Sequence, residues 1–279
     1  MFIESEKEKI PILMYHSISQ SANPKFKQFS VSPTLFAGHM AYLCQHGYTT
    51  LTVTQFIQMR VQGKDRLPER PVILTFDDGF ADFFTEALPV LKYYGFVATL
   101  YIATAFINGT SRWMQHEGES THSMLTWDQL LEINKCGIEI GAHSHSHHQL
   151  DILPLSLARD EIVRCKRLLE DKLSQEVLSF AYQHGYHSAA IQRLVREAGY
   201  TSACAVKYEM STETTDAFAL ARLKVSADTS VDALAALLTQ RSSLAITTMY
   251  KRARIPVWRL VRRFSNLGGQ YLQAEWERC

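Results

Sequence analysis

Two stretches of the chain carry residues whose types and spacing can do chemistry. In the first, Asp77-Asp78-Gly79, two adjacent carboxylates follow the apolar run Val72-Ile73-Leu74 behind Pro71. Such a run reads as a strand buried on both faces, so the acids stand at a strand's end. Successive side chains of an extended backbone point to opposite sides, and Gly79 permits the turn that exposes both, so one acid can hold a metal while its neighbour stays free as a base. Taken alone, Asp-Asp-Gly reads equally as a helix cap or a turn. The second stretch, Gly141-Ala142-His143-Ser144-His145-Ser146-His147-His148, puts four imidazoles just after a strand, inside the chain and flanked by regular elements. His143 and His147 are four apart, which predicts one face of a helical turn from which both reach one divalent ion, with His145 and His148 pointing elsewhere. Together with Asp78 they make two neutral nitrogens and one carboxylate, the three-ligand arrangement of a catalytic zinc site with an open position.

A scaffold has to bring these strand ends together. Pro11 to Tyr15 forms another apolar strand, and it too ends on a residue able to do chemistry, His16. Ser32 and Pro33 cap a helix that closes at Gly47, and residues 48 to 53 and 54 to 63 read as a strand and a short helix. Phe83 to Tyr94 reads as a helix and Phe96 to Ile102 as a strand, while 104 to 124 lacks any period and reads as a long loop over the site. Thr126 and Gln129 form a capping box for a helix to Cys136. A strand at 138–140, a helix at 156–173, a strand at 177–182, a helix from Ser188 and a strand at 200–206 complete the series. Helix, glycine and apolar strand opening recur at Gly47-Tyr48, Gly95-Phe96, Gly137-Ile138 and Gly199-Tyr200. Glycine beyond a helix C-terminus takes the left-handed conformation that stops it, so this is the punctuation of a β/α repeat. The polar residues of interest all follow strands, which favours a barrel-like parallel sheet with one functional rim over an open doubly wound sheet.

Composition narrows the partners. The chain has 279 residues, a formal net charge of +1 and 46% hydrophobic residues, so no global field argues for nucleic acid. Five scattered cysteines without a CxxC pair, and an N-terminus carrying Glu4, Glu6 and Glu8 in place of an apolar leader, predict reduced thiols and a cytoplasmic address. The division expected is a catalytic domain over 1–240 and a basic tail over 241–279. Lys251 to Arg263 holds one lysine and five arginines without an acid, interleaved with Ile255, Val257, Trp258, Leu260 and Val261 and followed by Phe264. Residues 251–264 are therefore a candidate for peripheral contact with an anionic membrane, set against a helix docked on the barrel.

Thr75-Phe76-Asp77-Asp78-Gly79 and His143-Ser144-His145-Ser146-His147 resemble the first two motifs of the polysaccharide deacetylases, the NodB-homology domain of carbohydrate esterase family 4. Ile10-Pro11-Ile12-Leu13-Met14-Tyr15-His16 resembles the permuted branch related to the poly-N-acetylglucosamine deacetylases, and the similarity spans about residues 10 to 225. The resemblance implies an α/β fold, a distorted (β/α)₇ barrel, and metal-dependent removal of N-acetyl groups from sugars. It implies Asp77 as general base, His16 as general acid, and Asp78, His143 and His147 as ligands of a divalent metal, with zinc expected. The family's third motif, Arg-x-Pro-Tyr-Gly, is altered here to Ala181-Tyr182-Gln183-His184-Gly185. Tyr182, His184 and Gly185 are accordingly the candidates for substrate and oxyanion contacts, and Arg222 for the lost arginine. Two other readings are a carbohydrate-binding pseudoenzyme of the same fold, which the altered third motif favours and the complete ligand set disfavours, and a metallophosphoesterase, which needs ligands for a second metal.

Overall fold

A computed structural model describes residues 9–239 except 21, 23, 64–66, 208 and 213. The basic tail, with its reading as a membrane contact, lies outside the described residues.

Eight parallel strands form the main sheet: β1 (Ile12–Tyr15), β2 (Thr49–Leu51), β3 (Pro71–Phe76), β4 (Thr99–Ile102), β5 (Glu139–Ala142), β6 (Ser179–Ala181), β7 (Ser202–Cys204) and β8 (Leu223–Lys224). Seven of them run in the order β7-β6-β5-β4-β3-β1-β8, and β2 pairs with the first half of β3. The path curls. A parallel bridge between Cys204 and Leu220 draws the segment leading into β8 back onto β7, so the two ends of the sheet meet and a distorted barrel results.

Helices α1 (Pro33–Gln45), α2 (Val53–Gln62), α3 (Leu88–Tyr94), α4 (Trp127–Lys135), α5 (Leu155–Leu173), α6 (Ala189–Glu197) and α7 (Val231–Thr239) connect or follow the strands. Their ends carry the signals read in the sequence. Ser32 Oγ accepts from the Leu35 N–H with Pro33 as first helical residue, and Thr126 and Gln129 close a reciprocal capping box. Gly95 caps α3 in the left-handed conformation that a side chain disfavours, at φ 66°.

Period-two alternation sorts the strand residues between two cores. Leu13 and Tyr15 of β1, Val72, Leu74 and Phe76 of β3, and Ile140 and Ala142 of β5 pack outward under the helices. Ile12, Ile73, Tyr101, Ala181 and Cys204 point inward and fill the barrel. The 104–124 segment is tied down by bridges Phe80 to Met124 and Thr110 to Ser123 and contains short 3₁₀ turns at Thr104–Phe106 and Arg112–Glu117. Asp82 also holds it, accepting from the Ser17 hydroxyl at 2.5 Å while pairing with His122 Nε2 at 3.1 Å. No described helix is long and apolar enough to cross a membrane.

Candidate functional site

The same alternation carries the site. Counting in twos from the inward residues Ile12 and Ile73, β1 delivers His16 and β3 delivers Asp77 to the C-terminal rim of the barrel interior. On β5, Gly141 and His143 share the inward face. A side chain at Gly141 would lie 2.5 Å from the Tyr101 ring, so only glycine fits beneath the histidine.

Asp77 is held from the segment just before β8, two strands along the sheet. Arg222 Nη1 donates to its Oδ1 at 2.6 Å and Nη2 to its Oδ2 at 2.7 Å, while Nε donates to the Ala205 carbonyl at 3.2 Å and Nη1 also reaches Thr75 Oγ1 at 3.2 Å. Arg222 has no solvent exposure. Burial alone would raise the Asp77 pKa, but the Arg222 charge and its hydrogen bonds hold the carboxyl below its usual range. A carboxylate offers about four acceptor sites, and Arg222 uses two of them, so Asp77 keeps capacity for a further proton. The arginine absent at Ala181 is thus matched by one arriving from the segment just before β8.

Asp78 reaches the other group through a strained turn. The Gly79 N–H donates to the Asp77 carbonyl at 3.0 Å, closing a three-residue turn in which Asp78 itself lies at φ 77°, the rarer and strained form of γ-turn. This reverses the direction the next strand residue would take and brings Asp78 Oδ1 to 3.4 Å from His143 Nε2 and 3.1 Å from His147 Nε2. All three ligand atoms lie within 4.8 Å of one another. Two ligands about 2.1 Å from a tetrahedral ion stand roughly 3.4 Å apart, so the cluster fits a divalent metal. The His143 Nδ1–H donates to the Ala181 carbonyl at 2.8 Å, which leaves the lone pair on Nε2, facing the cluster. Burial would raise the Asp78 pKa, yet the neighbouring imidazoles of His147 and His143 hold it well below the ordinary value.

The expected helical turn between the two histidines is not present. Residues 143–149 are non-helical, and left-handed Ser144 and His147, at φ 57° and 59°, return the chain so that both Nε2 atoms converge. The two histidines four apart converge for a different geometric reason. Asp78, Ser144, His147 and His184 all have positive φ around this one site, the clustering expected where a functional arrangement overrides backbone preference.

His16 stands on the opposite side. Its ring packs 4.9 Å from Phe29, its Nδ1 is buried without a partner among the described residues, and burial outweighs the pull of Asp78 and Asp77 and pushes its pKa down to about 4. The ordinary imidazole value of about 6.5 is therefore displaced, and at neutral pH the resting ring is uncharged.

The third-motif residues divide. Tyr182 falls on the outward face, fully buried, with its N–H donated to the Cys204 carbonyl and its hydroxyl to the Phe218 carbonyl, each at 3.0 Å. It supports the loop from behind. His184, at φ 53°, brings its ring 5.5 Å from that of His147, and Gly185 follows at φ 74° with Val206 N 2.4 Å from where a Cβ would sit. Gln183, in the family's proline position, is 1% exposed, and both polar atoms of its amide lack partners among the described residues. An unpaired buried amide costs about 1–3 kcal/mol. Tyr182, at φ −76° and ψ 134°, already has the backbone required before proline. Gln183→Pro should therefore raise stability by roughly 1–3 kcal/mol, read as a higher urea midpoint at unchanged slope. An unchanged or lowered midpoint would show that the amide is satisfied.

Trp113 was not foreseen; its ring lies 5.2 Å from that of His147 and 4.3 Å from that of Phe106, placing the 104–124 segment directly against the ligands. Nothing local in the sequence marks it, because a tryptophan in an aperiodic loop carries no signal of what it covers.

Known proteins resemble this chain in sequence and fold. The family model described as polysaccharide deacetylase matches residues 64–203. YxkH of Bacillus subtilis (strain 168), assigned to the polysaccharide deacetylases, is 31% identical over 226 residues, covering 81% of this chain and 75% of its own. The poly-beta-1,6-N-acetyl-D-glucosamine N-deacetylase of Staphylococcus aureus (strain MRSA252) is 24% identical over 217 residues, covering 75% of this chain and 72% of that one. The solved structure of the Streptococcus pyogenes deacetylase PplD in complex with acetate has the same fold, with a TM-score of 0.72 at 24% identity over 83% of this chain and 99% of that one. IcaB from Ammonifex degensii likewise shares the fold, with a TM-score of 0.70 at 21% identity over 82% and 97% of the two chains. The first two motifs, the matched family model and the level of identity to YxkH together make this chain a member of the polysaccharide deacetylase family.

Proposed function

We propose that the protein is a metal-dependent hydrolase that removes N-acetyl groups from N-acetylhexosamine units of a glycan or glycan precursor. The observation that carries this reading is the convergence of Asp78, His143 and His147 on one point beside a carboxylate, Asp77, that Arg222 keeps ionised. A pseudoenzyme has no need of such a set, and among the described residues no second cluster exists for a two-metal phosphoesterase. Two imidazoles and a carboxylate suit zinc. The bound ion would supply a Lewis acid for the amide carbonyl and lower the pKa of a water.

The remaining work falls to the chain's own groups. Asp77 takes the proton of the attacking water on a lone pair that Arg222 leaves open. His16 is neutral at rest and takes a proton from solvent as negative charge develops in the site; that proton then goes to the departing amine, which leaves only when protonated, and the proton on Asp77 returns to solvent. His184 and Gly185 shape the rim beside His147. Sugar recognition follows from family membership and from the staphylococcal relative's named substrate. A cytoplasmic address is part of this reading, supported by Cys44, Cys136, Cys165 and Cys204 all being free thiols. Membrane contact through 251–264 rests on composition.

Acetate release tests the function. The purified chain should hold about one equivalent of metal, free acetate from N-acetylglucosamine oligomers, and stop when the metal is chelated. In the same assay His16→Ala should slow amide cleavage by about 10²–10⁴-fold but an activated acetyl ester far less, since its leaving group needs no proton. Metal-loaded wild-type protein that frees no acetate overturns the function, and equal losses on the two substrates remove His16 from the acid role.

A further inference from the structure

We propose that Glu161 is a positioning residue that fastens the backbone between the two histidine ligands and so sets how tightly the site holds a divalent ion. This rests on the metal-site reading above. Left-handed Ser144 and His147 are conformations that persist only where the surroundings impose them, and no helix spans residues 143–149 to do so. Part of the constraint is local, since Ser144 Oγ accepts from the His147 N–H at 3.1 Å. Another part comes from the neighbouring loop, where the Ala105 N–H donates to the His145 carbonyl at 2.8 Å and Thr104 Oγ1 pairs with His145 Nδ1 at 2.9 Å.

Glu161 supplies a charged fastening to the backbone of this segment. Its Oε2 accepts from the Ser146 N–H at 2.7 Å and its Oε1 from the Ser146 hydroxyl at 2.5 Å. The hydroxyl has a single proton, which goes to Glu161, so the 2.5 Å contact between Ser146 Oγ and His148 Nδ1 has His148 as donor. A directed chain thus runs from His148 through Ser146 to Glu161. Charge-assisted hydrogen bonds of this kind are about twice as strong as neutral ones, and the Glu161 side chain is only 13% exposed, so water competes poorly. The carboxylate also stands on a rigid element, because Ala158, Ile162 and Cys165 bury the adjoining face of α5.

Glu161 touches neither ligand. It acts through Ser146, the residue immediately before His147, and thereby on the 3.1 Å approach of His147 Nε2 to Asp78 Oδ1. Without it the ion has to order the loop as it binds. Groups that orient ligands in this way commonly change metal affinity by about 10–100-fold.

Cobalt(II) is the probe, titrated into the metal-free full-length chain and followed by its visible spectrum, which reports coordination geometry as well as occupancy. Glu161→Ala should weaken binding by about 10–100-fold and alter the spectrum at saturation. Glu161→Gln keeps one acceptor for two donors, and Ser146→Ala keeps the backbone bond, so each should lose less; these two carry the test if the alanine variant does not fold. Arg159→Ala, on the same helix but paired at the surface with Glu197, should match the wild type. Wild-type protein that takes up no cobalt overturns the metal-site reading and this inference with it. Wild-type uptake with unchanged affinity and spectrum in both Glu161 variants overturns the inference alone.

Discussion

Asp77→Asn is expected to lower turnover by about 10²–10⁴-fold while the protein still takes up its metal, because the change removes the proton acceptor and leaves Asp78, His143 and His147 in place. Asp78→Asn is expected to lose both. The two acids are neighbours, yet one turn separates their partners: Asp77 continues the inward column of β3 to meet Arg222, and Asp78, at φ 77°, swings to the histidines. Asparagine at 77 presents an amide N–H₂ where an Arg222 N–H now donates, so this variant should also be less stable and has to be assayed well below its Tm. Metal content by elemental measurement, set beside acetate release, decides the matter. Comparable metal loss in both variants would abolish the division of labour.

Arg222→Met should be the most damaging single change to the fold. Removing one partner of a buried ion pair leaves the other charge without compensation, at a cost of about 3–5 kcal/mol. Arg222 is fully buried and Asp77 is 3% exposed, so little water is present to screen the orphaned carboxylate. For a chain of this size the loss corresponds to a fall in Tm of roughly 6–20 °C. Activity should fall as well, since the carboxylate loses the fork that orients it and keeps it ionised. Arg222→Lys keeps the charge but offers a single point donor in place of the bidentate fork, and should fall between. The double variant Asp77→Asn with Arg222→Met removes both charges, so it should recover most of the stability and none of the activity. Strict additivity of the two single losses in calorimetry would show that the pair contributes through packing alone.

Much of this arrangement was written locally. Period-two alternation in Ile73, Thr75 and Asp77, the apolar runs that end on His16 and Asp77, the glycines that stop helices at 47, 95, 137 and 199, and the capping box at Thr126 all operate within a few residues of one another. Such signals survive without knowledge of the rest of the chain. The residue types of the candidate metal site were equally legible, because few purposes besides metal binding gather imidazoles beside a strand end with a carboxylate at another.

Tertiary structure decided how those residues meet. Arg222 and Asp77 lie 145 residues apart, and the pairing of β8 with β1, which itself flanks β3, brings the guanidinium to the carboxylate. Nothing near either residue encodes that distance. The helical turn expected from the spacing of His143 and His147 gave way to two left-handed residues, since hydrogen bonds from α5 and from the 104–105 loop outweigh local helical preference. Tyr182, expected at the site, was sent outward by strand alternation once β6 was placed. His16 lost its ordinary basicity because burial is a property of everything packed around a ring. Local patterning therefore selected the groups, and long-range closure set their charge states, directions and partners.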